Sequence, residues 1–368
     1  MQTTMNTILF YLGHPAHYYN VSIIIKLLNN KGYNIVLISR NKDILFDLIK
    51  TLPYRTKYLN SRNGTSKLVL IKNIISREFI LLRMALKYKP KLVVGTDIVI
   101  THVGKLLNIP SIIFNEDDAK EVPYLANYGF KYANVVLSPI CCNINPYQNK
   151  KINYNGFNEL AYLHPKYFSP NVKIVKRYLS TDKPYFLLRF AKLTAHHDKG
   201  VRGISTNIAN KLIHILKSHG NIFITSEREL EPEFEKYRLN INPIDIHHVM
   251  AYAKMYIGDS QTMAAEAAVL GVPSIRFNDF VGKLGYLEEL EHKYGLTFGI
   301  NPSEPEKLYQ TIKKILDMPN LENIWQKRRK KMLNEKIDVT QFMTWFIENY
   351  PKSVSIMEHD SSYQYKFK

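Results

Sequence analysis

A glycine, an acid and a hydroxyl stand in a row at Gly258-Asp259-Ser260, and a carboxylate, Glu266, follows six residues after the hydroxyl. Asp259 or Ser260 can cap a helix. Gln261 to Leu270 is rich in Ala and favours one, and Gly271 with Pro273 ends it. Short apolar runs lie on either side, Met255 to Ile257 before and Ser274 to Phe277 after. The pattern is strand, tight turn, helix, turn, strand. In such a unit the helix start carries unpaired N–H groups and a positive dipole end. It leaves the carboxyl edge of a parallel sheet as an anion site. Gly258, Ser260, Gln261 and Thr262 would then surround a phosphate, and Glu266 would accept from a ribose diol. The alternative is an ordinary crossover with a solvated glutamate.

Ligands of parallel α/β domains bind outside the carboxyl ends of the strands, so the other loops of that kind matter. Gly13 to His17 follows the first apolar run, Thr7 to Leu12. Gly13 would approach a ligand there, and His17 would act as a base or polarise an acceptor hydroxyl, with His14 beside it. His17 packed at a helix start is the competing reading. Gly95-Thr96-Asp97 and Asn115-Glu116-Asp117-Asp118 place acids at two further strand ends. Asp117 is the second candidate for a base, and the same acids also suit the first turn of a helix. Adjacent acids diverge in space, so no metal site is expected. Arg189, at the end of Tyr185 to Phe190, and Lys192 after it would neutralise a diphosphate, with His196 and His197 in the same segment. Ser226, in Ser226-Glu227-Arg228-Glu229, would touch a base or ribose, unless that run is charged surface. No Walker loop and no G-x-G-x-x-G follows the first strand, against ATPase and dehydrogenase chemistry.

These loops must be held by alternating strands and helices. The strands are short, apolar throughout and non-alternating, which implies doubly wound parallel sheets in an α/β fold. A chain of 368 residues makes two domains of ~150–180 residues each. Boundaries fall at 1–165 and 181–335. The aperiodic stretch Tyr147 to Ser180, with Pro165 and Pro170, reads as the linker. Residues 336–368 add a last helix with Phe342, Trp345 and Phe346, and a tail frayed after Pro351. Asn115 is expected to open a helix, and the first helix to run from about Tyr18.

The formal charge is +18, from 50 Lys and Arg against 32 Asp and Glu. Such a balance favours an anionic partner, or reflects a Lys-rich compositional habit. Lys327 to Lys331, near Trp325, is a candidate contact with an anionic membrane surface, or a solvated helix face. No nucleic-acid-binding motif is present, and none is expected as a partner. The only cysteines, Cys141 and Cys142, are adjacent and supply neither a disulfide framework nor metal-ligand spacing. A reduced, cytoplasmic setting follows, peripheral at the inner face of the cell membrane if the basic run is used. Met1 to Leu12 lacks a signal-peptide pattern. No apolar stretch reaches the ~18 residues of a transmembrane helix.

The pattern Gly258-Asp259-Ser260, Glu266-Ala267 and Gly271-x-Pro273 resembles the nucleotide-diphosphate site of non-hydrolysing UDP-N-acetylglucosamine 2-epimerases and related GT-B glycosyltransferases. The resemblance puts Ser260 on the diphosphate and Glu266 on the ribose. Gln261 and Thr262 stand where the epimerases have two glycines, and Arg189-Phe190-Ala191-Lys192 occupies the place of their His-Arg-Arg-Glu-Asn segment. The run from Thr7 to Gly299 more closely resembles the DUF354 family of GT-B-like proteins. It does so through Pro15-Ala16-His17, Gly95-Thr96-Asp97, Leu107-Asn108-Ile109-Pro110-Ser111, Asn115-Glu116-Asp117 and Thr225-Ser226-Glu227-Arg228. The resemblance implies two Rossmann-like domains facing across a cleft, the GT-B fold, with the last helix packing back on the N-terminal domain. It also implies a nucleotide-sugar-dependent role in surface polysaccharide synthesis without fixing the reaction; together with the loops above, the expectation is a metal-independent glycosyltransferase. Its donor would be a nucleoside-diphosphate sugar, a UDP-sugar first among them, and its acceptor a polysaccharide or a lipid-linked sugar. No cofactor beyond the donor is implied. Sugar-nucleotide 2-epimerisation, and a non-catalytic protein binding a nucleotide sugar or a membrane surface, are the alternatives.

Overall fold

Apolar strands that are buried on both faces need helices on both sides of the sheet, and the structure meets that need twice. It is a computed structural model and describes residues 6–41, 43–60, 66–179, 183–191 and 202–368. The chain divides into two compact units, Met1–Tyr162 with Ile337–Lys368, and Leu163–Lys336.

The first unit opens with β1 (Thr7–Leu12), buried at every position. Helix α1 (Pro15–Asn30) follows at once. It begins before the expected Tyr18 because Pro15 is pre-set for a first helical turn and the His14 ring caps it, accepting the Ala16 N–H at 3.2 Å. Then come β2 (Asn34–Arg40), α2 (Asp43–Ile49), β3 (Arg55–Leu59), α3 (Lys67–Tyr88), β4 (Leu92–Gly95), α4 (Ile98–Leu107) and β5 (Ser111–Phe114). Asn115 opens no helix, contrary to expectation. Its side-chain amide donates to the Asp117 carbonyl at 2.5 Å, and Asp118 accepts the Asn143 N–H at 2.8 Å. The first bond closes a turn within the segment, and the second ties it to a neighbouring loop instead. The next helical pieces are α5 (Pro123–Leu125), running into a π turn at Ala126–Phe130. After β6 (Val135–Pro139), β7 (Lys151–Tyr154) and α6 (Leu160–Leu163) occupy part of the stretch expected as a linker. The seven strands are parallel, in the order β3-β2-β1-β4-β5-β6-β7. The order reverses between β1 and β4.

The second unit begins with α7 (Val172–Tyr178), also inside the expected linker. It continues through β8 (Tyr185–Phe190), α8 (Thr206–Leu216), β9 (Asn221–Ser226), α9 (Ile246–Ala251), β10 (Met255–Gly258), α10 (Gln261–Leu270) and β11 (Ser274–Phe277). Then follow α11 (Gly285–Glu288), β12 (Thr297–Ile300), α12 (Pro305–Leu316) and α13 (Leu321–Glu335). Its five parallel strands are ordered β12-β11-β10-β8-β9, with the reversal between β8 and β10. Helix α10 stops at Gly271, whose φ of 77° is left-handed and costs a glycine little.

The chain returns to the first unit with α14 (Val339–Glu348), packed on α1. The tail is ordered, against the expectation of fraying. It forms α15 (Lys352–His359) and a 3₁₀ turn at Ser361–Phe367. Trp345 stacks on Tyr363 with ring centroids 4.8 Å apart, and Phe367 lies edge-on to Phe342. The buried Gln364 accepts the Asn155 N–H at 2.5 Å, and the Phe367 carbonyl accepts the Asp338 N–H at 2.6 Å.

Removal of residues 352–368 would therefore orphan two backbone donors and bare an aromatic face. The expected loss is ~3 kcal/mol or more from the first unit. Denaturant unfolding followed by Trp345 fluorescence in a Trp325→Phe background measures it, and an unchanged midpoint would show the tail to be dispensable.

Candidate functional site

The carboxyl edge of the second sheet is built around β10. Register sets Gly258 beside Arg189 on β8 and beside Arg276 on β11. A Cβ at Gly258 would come within 2.8 Å of the Arg189 Cβ, so only glycine lets the strand end here between two arginines. Asp259 follows and is 1% exposed. Its Oδ1 accepts the Ala191 N–H at 2.6 Å and its Oδ2 the Ile204 N–H at 3.2 Å. Its carbonyl accepts from the Asn278 side chain at 3.0 Å. Burial pushes its carboxyl up to about 6, partly offset by the two amide bonds and by Arg228.

Ser260 caps α10, its hydroxyl accepting the Met263 N–H at 3.4 Å. Ser260, Gln261, Thr262 and Met263 are part-exposed, whereas every residue from Ala264 to Leu270 is buried. The first turn is thus the solvent-facing part of the helix. Its leading N–H groups have no intrahelical acceptor and sit at the positive end of the helix dipole.

The other residues expected here are already engaged. Arg189 forms an ion pair with Glu227. Ser226 closes a bend, accepting the Arg228 N–H at 3.2 Å and donating to the Arg228 carbonyl at 2.7 Å. Glu266 lies one turn inside α10 and is 4% exposed. Its Oε1 is 3.0 Å from Nε2 of His247, on α9. Lys192, His196 and His197 lie outside the described residues. Two features had no signal in the linear sequence. One is Arg276, wholly buried and paired through one nitrogen with Glu288 at 3.1 Å and Glu291 at 2.7 Å. The other is the His247–Glu266 pair itself.

The first unit has a matching edge at its β1/β4 reversal. His17 stands in the first turn of α1, and its Nδ1 accepts the Gly13 N–H at 3.3 Å. Burial, then His14 and Arg40, push the imidazole down to about 3. With Nδ1 accepting, the neutral ring carries its proton on Nε2. Such a histidine suits hydrogen-bond donation better than proton removal near neutral pH. Next to it, Asp97 caps α4 through Oδ1, and its Oδ2 takes Arg40 at 2.9 Å and Arg77 at 2.8 Å. Arg77 also donates to the Tyr11 hydroxyl at 3.3 Å.

A second acidic group lies at the ends of β5 and β7. Glu116 accepts the Asn158 N–H at 3.2 Å. Burial, Glu159 and Asp117 raise its carboxyl well above the usual range. Glu159, 1% exposed, comes from the stretch that sequence alone assigns to a linker, so this pairing is invisible there. Asp117 is part-exposed beside it.

The basic run on α13 is divided. Arg328 donates to the Gly295 carbonyl at 2.7 Å and Arg329 to the Val269 carbonyl at 2.8 Å. Lys327, Lys330 and Lys331 are exposed. Trp325 is wholly buried, its Nε1 donating to the Leu296 carbonyl, and offers nothing to a membrane.

The family described as "Protein of unknown function (DUF354)" matches residues 9–295. No curated protein matches the sequence. Among solved structures, UDP-GlcNAc 2-epimerase from Neisseria meningitidis bound to UDP-GlcNAc is similar with a TM-score of 0.68 at 13% identity. That match covers 93% of this chain and 100% of the other. MurG of Acinetobacter baumannii is similar with a TM-score of 0.59 at 16% identity, over 93% and 99% of the two chains. The calicheamicin glycosyltransferase CalG4 is similar with a TM-score of 0.59 at 13% identity, over 95% and 100%. Likenesses at this identity establish the fold: two Rossmann-like units of the GT-B kind.

The Asp259 carboxyl gives a pH signature. Its folded value, about 6, lies above the unfolded 3.8. Its contribution to stability is therefore full below about pH 4 and is lost as pH rises through 6, by ~3 kcal/mol in all. Asp259→Asn should remove that slope, measured as the wild-type minus variant difference in unfolding free energy between pH 4 and 7. Parallel curves would show that the carboxyl is not perturbed.

Proposed function

We propose, for a chain that belongs to the DUF354 family, that the unit Leu163–Lys336 binds a nucleoside-diphosphate sugar and that the protein transfers the sugar to a polysaccharide or lipid-linked acceptor. The single observation that carries this reading is the part-exposed first turn of α10, opening from the carboxyl edge of β10 next to Arg189. The diphosphate would sit on the N–H groups of Gln261 and Thr262, beside Ser260 and Gly258. Arg189 would turn from Glu227 towards it, with Lys192 as a second cation. Glu266, held by His247, would accept from the ribose diol, and Ser226 would lie at the base or ribose. Support comes from the fold shared with a structure bound to UDP-GlcNAc and with a glycosyltransferase.

In the transfer, the acceptor oxygen forms a bond to the anomeric carbon of the sugar. The bond from that carbon to the diphosphate oxygen breaks, and the diphosphate leaves with the electron pair. The helix dipole and the cations stabilise it, so the reaction is metal-independent. The first unit holds the acceptor. Neutral His17 orients the hydroxyl beside Gly13, and Asp117 takes its proton.

Sugar-nucleotide epimerisation is the second reading, favoured by the raised carboxyl of Glu116, which can give or take a proton. It requires turnover of the nucleotide sugar with no acceptor present. Transfer predicts none.

Calorimetry without metal against UDP, GDP, CMP, TDP and their sugars should find one nucleotide that binds. Glu266→Ala should weaken that binding by ~1–3 kcal/mol, the usual effect of orphaning a buried hydroxyl partner. Silence across the panel would reject the nucleotide site. Binding unchanged in the variant would reject the ribose role of Glu266.

A further inference from the structure

Helix α3 has two faces of unlike use. Leu81 and Ala85 are buried in the core of the first unit, and Arg77 reaches Asp97 from the same side. The opposite side carries Leu68, Ile71, Ile75, Phe79 and Leu86, at 70, 51, 58, 57 and 56% exposure. Spacings of three, four, four and seven residues align them in one stripe along the helix. At 1.5 Å per residue that stripe runs ~27 Å. Lone exposed apolar residues need no explanation, but a contiguous row of five does.

The charge beside the stripe has one sign. Lys72, Arg83 and Lys87 are all exposed and project along one flank by the same helical spacing. The helix has one acid, Glu78, and it is held by His102 of α4 at 2.6 Å. Through that pair the surface continues onto α4, where Leu106 is 69% exposed. Beside it lies a shallow depression lined by His102, Lys105, Leu106, Tyr128 and Tyr132.

We infer that α3 with the exposed edge of α4 is a docking face for an anionic lipid bilayer. The helix would lie in the headgroup plane, its apolar stripe in the acyl boundary and its basic flank on lipid phosphates. An amphipathic helix with a large apolar side chain row and Lys or Arg along its polar border is the form such binding takes, and each basic residue near the surface adds attraction. A second copy of this chain is the poorer occupant, because a net charge of +18 opposes self-association. The basic run of α13 is the poorer lipid contact, because Trp325 is buried and two of its arginines are spent on backbone carbonyls. Among the described residues no helix is long and apolar enough to cross a membrane. This inference stands whether or not the protein transfers sugars.

The test is co-sedimentation of the full chain with vesicles of phosphatidylcholine, alone or mixed with phosphatidylglycerol. Binding to the mixed vesicles is expected. It should fall at least ~10-fold on phosphatidylcholine alone, and likewise in Ile75→Glu/Phe79→Glu and in Lys72→Glu/Arg83→Glu/Lys87→Glu. Lys327→Glu/Lys330→Glu/Lys331→Glu should change it less than ~3-fold. If the apolar variant fails to fold, the basic variant, whose sites are all exposed, still decides. Equal binding by the α3 variants and the wild type would overturn the inference. So would loss confined to the α13 variant, or no vesicle binding with a dimer that the α3 substitutions dissolve.

Discussion

A single carboxylate holds the candidate nucleotide edge together. Asp259 is cut off from water, yet each of its oxygens takes a backbone N–H, one from the end of β8 and one from Ile204, before α8. Its own carbonyl is held from the segment after β11. Three chain segments, at Ala191, Ile204 and Asn278, thus meet on one residue at the β8/β10 reversal. The helix that follows starts from a fixed point, and its first-turn amides are aimed before any ligand arrives. Burial of that charge is unfavourable near neutral pH, which the raised carboxyl records. The unit tolerates it because the two amides would otherwise be unpaired.

The first unit solves the same problem with different chemistry. Asp97 also follows a strand-ending glycine and caps the next helix, but its charge is met by Arg40 and Arg77. That trio leaves a surplus positive charge at the β1/β4 reversal, next to His17. The surplus is also why His17 resists protonation, since Arg40 and His14 add to the effect of burial. One edge therefore presents the first-turn amides of α10 beside a buried Asp259 whose oxygens are taken by the Ala191 and Ile204 N–H groups, and the other presents arginines and a neutral imidazole. Such a division suits a diphosphate in one unit and a hydroxyl-bearing acceptor in the other.

Much of this was legible in the sequence where the determinants are local. The turn at Gly258, the cap at Ser260, the Ala-rich α10 and the stop at Gly271 follow from neighbouring residues, and the structure has each of them. The parallel α/β architecture was equally plain from short strands without alternation. What escaped was set by register and long-range pairing. Arg276 reads as an ordinary strand residue until β11 aligns it with Gly258. Arg40, Arg77 and Asp97 are 20 to 57 residues apart. Glu266 looks solvated until α9 brings His247 against it. Propensity misled at Asn115, where its bond to the Asp117 carbonyl and the Asp118 bond to Asn143 won over a helix start. It misled again in the tail, where Trp345 supplies the partner that makes Tyr363 and Phe367 fold.

The most direct measurement is amide NMR of the ¹⁵N-labelled protein titrated with UDP, without metal. Saturable shifts at Gln261 and Thr262, with Ser260 and Met263 following, are expected if the first turn of α10 holds a diphosphate. Amides of Gly13, His14, Ala16 and His17 should stay in place, since UDP carries no acceptor. No shift at the α10 turn, while UDP binds elsewhere in the chain or not at all, would contradict the nucleotide-site reading.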